Sequence, residues 1–376
     1  MEVNTIQCLS KKKCTGCASC INRCPLDCIT MQSDEEGFLF PVIYESRCTR
    51  CGECKAICPV LRPPEKPDVE HIPDCYAAWS KDAEIRFHST SGGVFTHLAR
   101  AVLGQGGFVT GARYRADHLV EHTLISSETE LEVLRQSKYV QSEIGLVYRE
   151  IRARLEQGKQ VLFTGTPCQC AGLRAFLGRE YDSLFLCDFI CRGVNSPKVY
   201  LAYLHELEKR YGTPVKQVWF KNKTYGWNRF CTKIVFEDGQ EYLADRDTDP
   251  FMLGYIKSKL SCYMRPSCYQ CRFKGINRPV DITLGDFWGI QVYTDINDAD
   301  LGVSAVLLHT PKGKKIFKDI SHELYSEKQN VHTIISHNRC LAESVCGGQL
   351  RHTAFFSQLQ RNGASFFQTI AEFNQE

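Results

Sequence analysis

The chain has no run of 18 uncharged apolar residues, which argues against a membrane-spanning helix. It has no large excess of either charge. Its 46 Lys and Arg stand against 43 Asp and Glu, and a net +3 is too little for a nucleic-acid surface. The first residues, MEVNTIQCLSKKKC, contain no apolar segment, so no secretory signal is read and a cytoplasmic location is expected. No G-x4-G-K-[ST] run occurs, which excludes a P-loop nucleotidase. With 43% hydrophobic and 24% charged residues, disorder and collagen-like repeats are excluded too. A length of 376 residues leaves room for two or three domains. Against these absences stands one excess, 21 cysteines.

A disulfide framework is not expected of so many thiols in a large chain that lacks an export signal. Metal ligation, redox catalysis and plain burial remain, and spacing separates them. Ten of the 21 fall within the first 58 residues, and eight of those form one pattern stated twice. The first copy is Cys14-x2-Cys17-x2-Cys20-x3-Cys24-Pro25, and the second is Cys48-x2-Cys51-x2-Cys54-x3-Cys58-Pro59. This is the bacterial ferredoxin spacing. Three thiolates on one tight loop can wrap three irons of a cubane, while the fourth points away to the other cluster. Cys14, Cys17, Cys20 and Cys58 are therefore expected to hold one 4Fe-4S cluster. Cys48, Cys51, Cys54 and Cys24 are expected to hold the second. Gly16 and Gly52 suit a loop that approaches sulfide closely. Zinc needs only four thiolates per site and does not account for two complete runs. Cys8 and Cys28 are read as non-ligands.

The repeat offset of 34 residues implies a pseudo-twofold head. Two short strands are expected in it, Cys28–Met31 and Phe38–Ile43, around an Asp34–Gly37 turn. Four prolines between Leu61 and Pro73 read as a stiff linker. The expected division is a two-cluster ferredoxin-type domain over 1–60, a linker over 61–74, and a body over 75–376. In the body, strands are expected at 75–80, 108–112, 161–164, 183–187, 219–220, 231–236, 281–286 and 303–309. Helices are expected after the Ser89–Gly93 cluster, over 143–157, 169–177 and 200–211, and through most of the last 35 residues. The fold class follows: an α+β ferredoxin-like head, then a larger α/β body with a mixed sheet.

Gly104-x-Gly106-Gly107 looks superficially like a dinucleotide fingerprint, but it follows a helix and precedes a strand, the reverse of the required context. It reads as a helix end. Ser91-Gly92-Gly93 opens a helix and could seat phosphate, or could be a plain cap. Gly165-Thr166-Pro167-Cys168 sits at a strand-to-helix turn, where the helix end would give Cys168 thiolate character. Cys268-x2-Cys271 is a further ligand-type pair. Cys168 and Cys191 lie at strand ends, where ligands are often presented. Cys170, Cys187, Cys231 and Cys262 compete with them, and a zinc ribbon from Cys262, Cys268 and Cys271 stays open. Cys340 and Cys346 are read as thiols on a helix. Lys221-Asn-Lys223 and Lys312–Lys315 are read as solvated faces. His88, His97, His205 and His309 receive no role.

Five segments in order carry a resemblance: TSGGVFTHLA (90–99), SKYVQS (137–142), TGTPCQCAGLRAFL (164–177), DFICRGVNSP (188–197) and RPSCYQCRF…VDITLGDFWGI (265–290). Together they resemble the coenzyme F-420 hydrogenase/dehydrogenase beta-subunit family, in its bacterial form with an N-terminal two-cluster head. The resemblance implies FAD and a third 4Fe-4S cluster in the body. By motif, that cluster would use Cys168, Cys191, Cys268 and Cys271. FAD would lie near Ser91, Gly92, Gly93, Thr96, Lys138, Tyr139, Thr166, Gly285 and Asp286. Lys138 could favour an anionic reduced flavin. No catalytic residue is assigned. The implied activity is that of an iron–sulfur flavoprotein oxidoreductase of anaerobic metabolism. It would relay single electrons to FAD and on to a hydride-accepting organic substrate, the deazaflavin or another. An electron-donor or acceptor protein is the expected partner. The alternative is a non-enzymatic electron-transfer subunit docking a partner enzyme. Three clusters of about −2 each would turn the formal +3 into roughly −3.

Overall fold

A computed structural model of the chain describes residues 4–64, 72–257, 260–293 and 299–375. Residues 65–71 of the expected linker lie outside the described residues.

The head is built from helix α1 (Ser19–Arg23), strands β1 (Ile29–Ser33) and β2 (Leu39–Ile43), and helix α2 (Glu53–Ala56). β1 and β2 pair antiparallel across the expected turn, Ile29 opposite Ile43 and Ser33 opposite Leu39. The body continues with β3 (Asp74–Ser80), α3 (Ala83–Phe87), α4 (Val94–Leu103), β4 (Phe108–Tyr114), β5 (Val120–Ile125), β6 (Ser142–Glu143) and α5 (Val147–Glu156). Next come β7 (Val161–Gly165), α6 (Pro167–Leu177), β8 (Leu184–Phe189), α7 (Pro197–Tyr211), β9 (Val215–Asn222), β10 (Cys231–Phe236), β11 (Glu241–Asp245) and α8 (Pro250–Ile256). The chain closes with β12 (Ile282–Asp286), β13 (Ser304–Leu308), α9 (Pro311–Asp319), β14 (Leu324–Gln329), α10 (Val331–His337), α11 (His352–Arg361) and α12 (Phe366–Gln375).

Nine strands form one mixed sheet in the order β14-β3-β13-β12-β8-β7-β4-β5-β6. The middle run β4, β7, β8 and β12 is parallel, and β3, β13 and β14 add antiparallel edges. This is an α+β protein with a large mixed sheet in the body. β7 reads VLFTG, four of its five residues are buried, and it is covered on both faces, as a central parallel strand must be. In an open sheet of this kind, ligands bind beyond the carboxyl ends of the parallel strands. Here those ends are Gly165, Phe189 and Asp286.

β9, β10 and β11 make a separate three-stranded antiparallel sheet. It packs with α7, α8, α11 and α12 around an aromatic core that includes Tyr200, Tyr203, Phe220, Phe251, Tyr263 and Phe366. The head is not packed apart from the body. Ile6, Ile21, Ile29 and Val60 share one apolar core with Tyr148, Ile151, Phe163, Leu173 and Phe176 of α5, β7 and α6.

Several local expectations shift. The helix expected from Glu143 begins at Val147, because Glu143 pairs in β6 and Gly145 turns the chain at φ 56°. Cys340 lies in a short 3-10 turn (Arg339–Leu341) and Cys346 is exposed outside any helix. Lys221 and Lys223 are not solvated, at 3% and 5% exposure. The Lys223 Nζ donates to the carbonyls of Arg86 (2.6 Å), Ser91 (2.6 Å) and Leu301 (2.8 Å). Lys312 reaches the Tyr181 carbonyl and Lys314 pairs with Asp74 at 2.6 Å, leaving Lys315 as the exposed lysine of that patch. Among the described residues no helix is long and apolar enough to cross a membrane.

Candidate functional site

The head brings its eight patterned thiols together in two sets. Burial pushes the Cys20 thiol well up, and the neighbouring Cys17, Cys14, Cys58 and Cys54 add to that. Cys58 is pushed up to about 11 by burial, with Cys17 and Cys14 contributing. A second pocket is walled by Cys24, Cys48, Cys51 and Cys54. Cys28 also lines it, with its sulfur 3.4 Å from that of Cys24. The first set is buried, whereas Cys51 is exposed and Cys48 half-buried, so the second set opens toward solvent. The ligand loops need left-handed backbone: Gly16 and Gly52 have φ of 71° and 83°, and Ala18 has 61°. A side chain at Gly16 would also strike the Gln141 amide at 2.6 Å.

The first loop is seated on the body. Ser19 Oγ donates to the Gly172 carbonyl of α6 at 2.9 Å, and a Cβ at Gly172 would lie 3.2 Å from the Cys17 sulfur. Tyr148 OH donates to the Gln169 carbonyl at 2.8 Å. Its phenol is pushed up by burial, with Cys17, Cys170 and Cys168 adding to the shift.

Beyond the strand ends lies a cavity of about 830 Å³, within the size range of cofactor sites. Cys168, Cys191, Cys268 and Cys271 all line it, next to Thr15 and Gly16 of the first head loop. Cys168 enters from the N-terminus of α6, Cys191 from just past β8, and Cys268 from a 3-10 turn (Pro266–Gln270). Burial pushes the Cys168 thiol well up, with Cys271, Cys191 and Cys268 adding to the shift and the Thr166 hydroxyl opposing it. Two cations flank the group. Lys274 Nζ donates to the carbonyls of Cys191 and Cys340, and Arg265 acts on Cys268. The competitors sit elsewhere: Cys170, Cys187, Cys231 and Cys262 are fully buried and line no part of the cavity. Cys262, the third member of the zinc-ribbon alternative, donates to the Leu260 carbonyl at 3.1 Å and does not line the cavity that Cys268 and Cys271 line. Cys340 does line the cavity. Among the described residues no group of three or more His, Cys, Asp or Glu side chains is spaced for a single metal ion.

Eight of the nine residues named for the flavin line the same cavity: Ser91, Gly93, Thr96, Lys138, Tyr139, Thr166, Gly285 and Asp286. Gly92 does not. Its N–H donates to Ser304 Oγ at 2.9 Å, and a Cβ there would lie 2.3 Å from the Ala78 carbonyl. Its role is to let the loop lie against β3 and β13. The helix after it is capped by Gly93 at φ 93°, with no side-chain cap. Lys138 is half-buried in the cavity wall. Burial lowers its ammonium to about 7, Glu132 opposes the shift, and Nζ donates to the Arg135 carbonyl at 2.8 Å. Asp286 forms an ion pair with Lys221 and accepts from Trp227 Nε1 at 3.3 Å. Trp227 stacks on Trp288 with centroids 4.6 Å apart, and Lys221 lies over the Trp288 ring at 4.5 Å.

The donor set fits a polar, phosphate-bearing ligand at one part of the cavity and cubanes at the thiols. Thr96 Oγ1, Thr164 Oγ1, Ser267 Oγ and Arg135 Nε are buried without partners, and all four residues line the cavity. Such groups are rarely left unpaired in folded proteins.

Sequence reasoning missed three residues here. His122 lines the cavity, its Nε2–H donates to the Thr164 carbonyl (3.1 Å), its Nδ1 pairs with Ser142 Oγ (2.7 Å), and burial lowers its imidazole to about 4. The alternation Val120-x-His122 in β5 was the available signal. Lys221 and Arg265 had no periodic signal. Only their distant partners reveal them.

Three comparisons bear on this geometry. A family model for the C-terminal part of the coenzyme F420 hydrogenase/dehydrogenase beta subunit matches residues 158–333. The corresponding N-terminal model matches residues 75–147, and a 4Fe-4S dicluster domain matches residues 13–61. Among solved structures, the chain is similar to one from the xenon-derivatised F420-reducing [NiFe] hydrogenase complex of Methanosarcina barkeri. The identity is 17%, over 73% of this chain and 93% of that one, with a TM-score of 0.48. No curated protein matches.

Proposed function

The chain belongs to the coenzyme F420 hydrogenase/dehydrogenase beta-subunit family, and from this we propose an iron–sulfur flavoprotein oxidoreductase joining single-electron carriers to an organic hydride acceptor or donor. The division into a head (1–60), a linker (61–74) and a flavin and cluster body (75–376) is part of the proposal. So are three 4Fe-4S clusters, on Cys14/Cys17/Cys20/Cys58, on Cys24/Cys48/Cys51/Cys54 and on Cys168/Cys191/Cys268/Cys271.

One observation carries the reading: four thiols from three separate elements meet in the cavity that also receives the Ser91–Thr96 loop and the Gly285–Asp286 strand end. When bound, the clusters supply one-electron chemistry and the flavin exchanges one or two electrons. The chain's own residues supply position and field. The thiol sets are ordered in space, from the solvent-facing Cys51 set to the buried Cys14 set to the cavity set. Lys138 offers a positive charge to an anionic cofactor. Trp288, backed by Trp227, and Phe230 wall the cavity around the Lys221–Asp286 pair.

Anaerobic purification with iron, sulfide, zinc and flavin analysis tests the proposal. About twelve irons and one FAD per chain are expected. About eight irons with one zinc, and no flavin, would overturn it. Exposure of Cys51 favours a second reading, a non-enzymatic subunit that docks an electron-transfer protein there. Clusters without flavin or turnover would select that reading.

A further inference from the structure

Arg265 is completely buried, yet among the described residues no carboxylate accepts from it. Two other deeply buried cations near the strand ends have such partners: Arg278 pairs with Asp188 at 3.0 Å, and Lys221 pairs with Asp286. The Arg265 guanidinium instead donates to the Cys14 carbonyl (Nε, 2.8 Å), the Gln141 side-chain carbonyl (Nη1, 3.1 Å) and the Leu39 carbonyl (Nη2, 3.0 Å). It lies over the Phe40 ring at 4.2 Å. A fully buried cation without a counter-charge is strongly destabilising. The dipoles and the ring solvate it in part but leave its net charge in place.

Its position says what balances that charge. Cys14 opens the first head loop, and Arg265 holds that residue's carbonyl. Arg265 also precedes the turn that presents Cys268, whose N–H donates to the Arg265 carbonyl at 2.8 Å. The guanidinium thus lies against Cys14 and Gly16 of the first head loop, Gly16 itself lines the cavity of the second thiol set, and no sulfur of either set is its hydrogen-bond partner. We propose that Arg265 is the shared counter-cation of the first head cluster and the body cluster, a positioning residue that raises both potentials. The inference rests on the three-cluster reading above. A cluster becomes more negative on reduction, so a fixed nearby cation favours the reduced form. Among the described residues no hydrogen bond joins Arg265 to the second head set, which serves as the internal control.

The test uses the full-length chain, loaded anaerobically and followed by paramagnetic resonance during redox titration. Arg265→Met and Gln141→Glu are compared with wild type and with Arg265→Lys. Cys268→Ser identifies the body signal. Arg265→Met removes the charge, while Gln141→Glu keeps the guanidinium and sets a carboxylate against it. Both are expected to lower the potentials of the first head cluster and the body cluster, leave the second head cluster unmoved, and retain about twelve irons. Arg265→Lys should restore most of the shift. If Arg265→Met loses iron, Gln141→Glu decides. Unmoved potentials at full iron content, or an equal shift of all three clusters, would overturn the role of Arg265 alone. Eight irons in wild type would instead overturn the cofactor reading beneath it.

Discussion

Cys28 and Cys268 differ in their company. Cys28 faces four other thiols in a pocket that already has a full set, whereas Cys268 lines the main cavity beside the first head loop with Cys168, Cys191 and Cys271, the proposed ligand set. Cys268→Ser should therefore lower iron by about four per chain and leave the head's iron in place, while Cys28→Ser should leave the total near twelve. Iron and sulfide assays of anaerobic preparations check both. Lys138 carries a pH prediction. Its ammonium is lowered to about 7 by burial, against about 10.5 for an unfolded lysine. Between these values the unfolded chain holds the extra proton, so this residue's contribution to stability rises with pH across that window and is least favourable below 7. An anionic cofactor against Lys138 would reverse the preference and recharge it. FAD binding at pH 8 should then take up protons, and Lys138→Gln should abolish the uptake. Calorimetry in two buffers of different ionisation heat measures this, and equal uptake in both proteins would remove Lys138 from the site.

At the scale of elements, the loop before α4 shows how a glycine can matter without touching a ligand. Gly92 lies against the Ala78 carbonyl of β3 and the Ser304 N–H of β13, with no room for a methyl group. Gly92→Ala should cost about 1–3 kcal/mol, the usual penalty of overpacking, and should release flavin as the loop lifts. A lowered unfolding midpoint together with lost flavin absorbance is the expected pair of results. Strands at the sheet centre could be read from the sequence because burial on both faces leaves a continuous apolar run, as in Val161–Phe163. β14 could not. LYSEKQ is mostly exposed and lacks an apolar alternation, and it is a strand only because β3 supplies its hydrogen bonds. β11, with only Asp245 buried, is a strand for the same reason, paired with β10.

For the molecule as a whole, the contact between head and body matters most. Arg149 on α5 donates to the carbonyls of Ile21 (3.1 Å), Asn22 (2.8 Å) and Cys24 (3.0 Å) and pairs with Asp27 at 2.6 Å. His352 on α11 meets Glu36 of the head turn at 2.8 Å. Arg149→Ala should weaken the docking by roughly 2 kcal/mol, discounted for its partial exposure. Amide exchange should quicken over residues 19–27 and stay unchanged in β7 and β8. Uniform exchange across the chain would show that Arg149 has no anchoring role.

The two thiol runs of the head, their turn glycines and the β1–β2 hairpin were legible because each depends on neighbours within a few residues. A ligand loop, a tight turn and an alternating strand are local geometries that spacing alone specifies. The cavity was legible only as scattered motifs. The thiols of Cys168, Cys191, Cys268 and Cys271 come from α6, the end of β8 and the turn at Pro266–Gln270, and only tertiary packing brings them beside Gly16. The charges went furthest astray. Lys221, Lys223 and Arg265 look like surface cations in the sequence because nothing adjacent opposes them. Their partners lie 65 residues away for Lys221, 78 or more for Lys223, and up to 251 for Arg265. Burial of a charge is set by what folds over it, and the fold alone decides that.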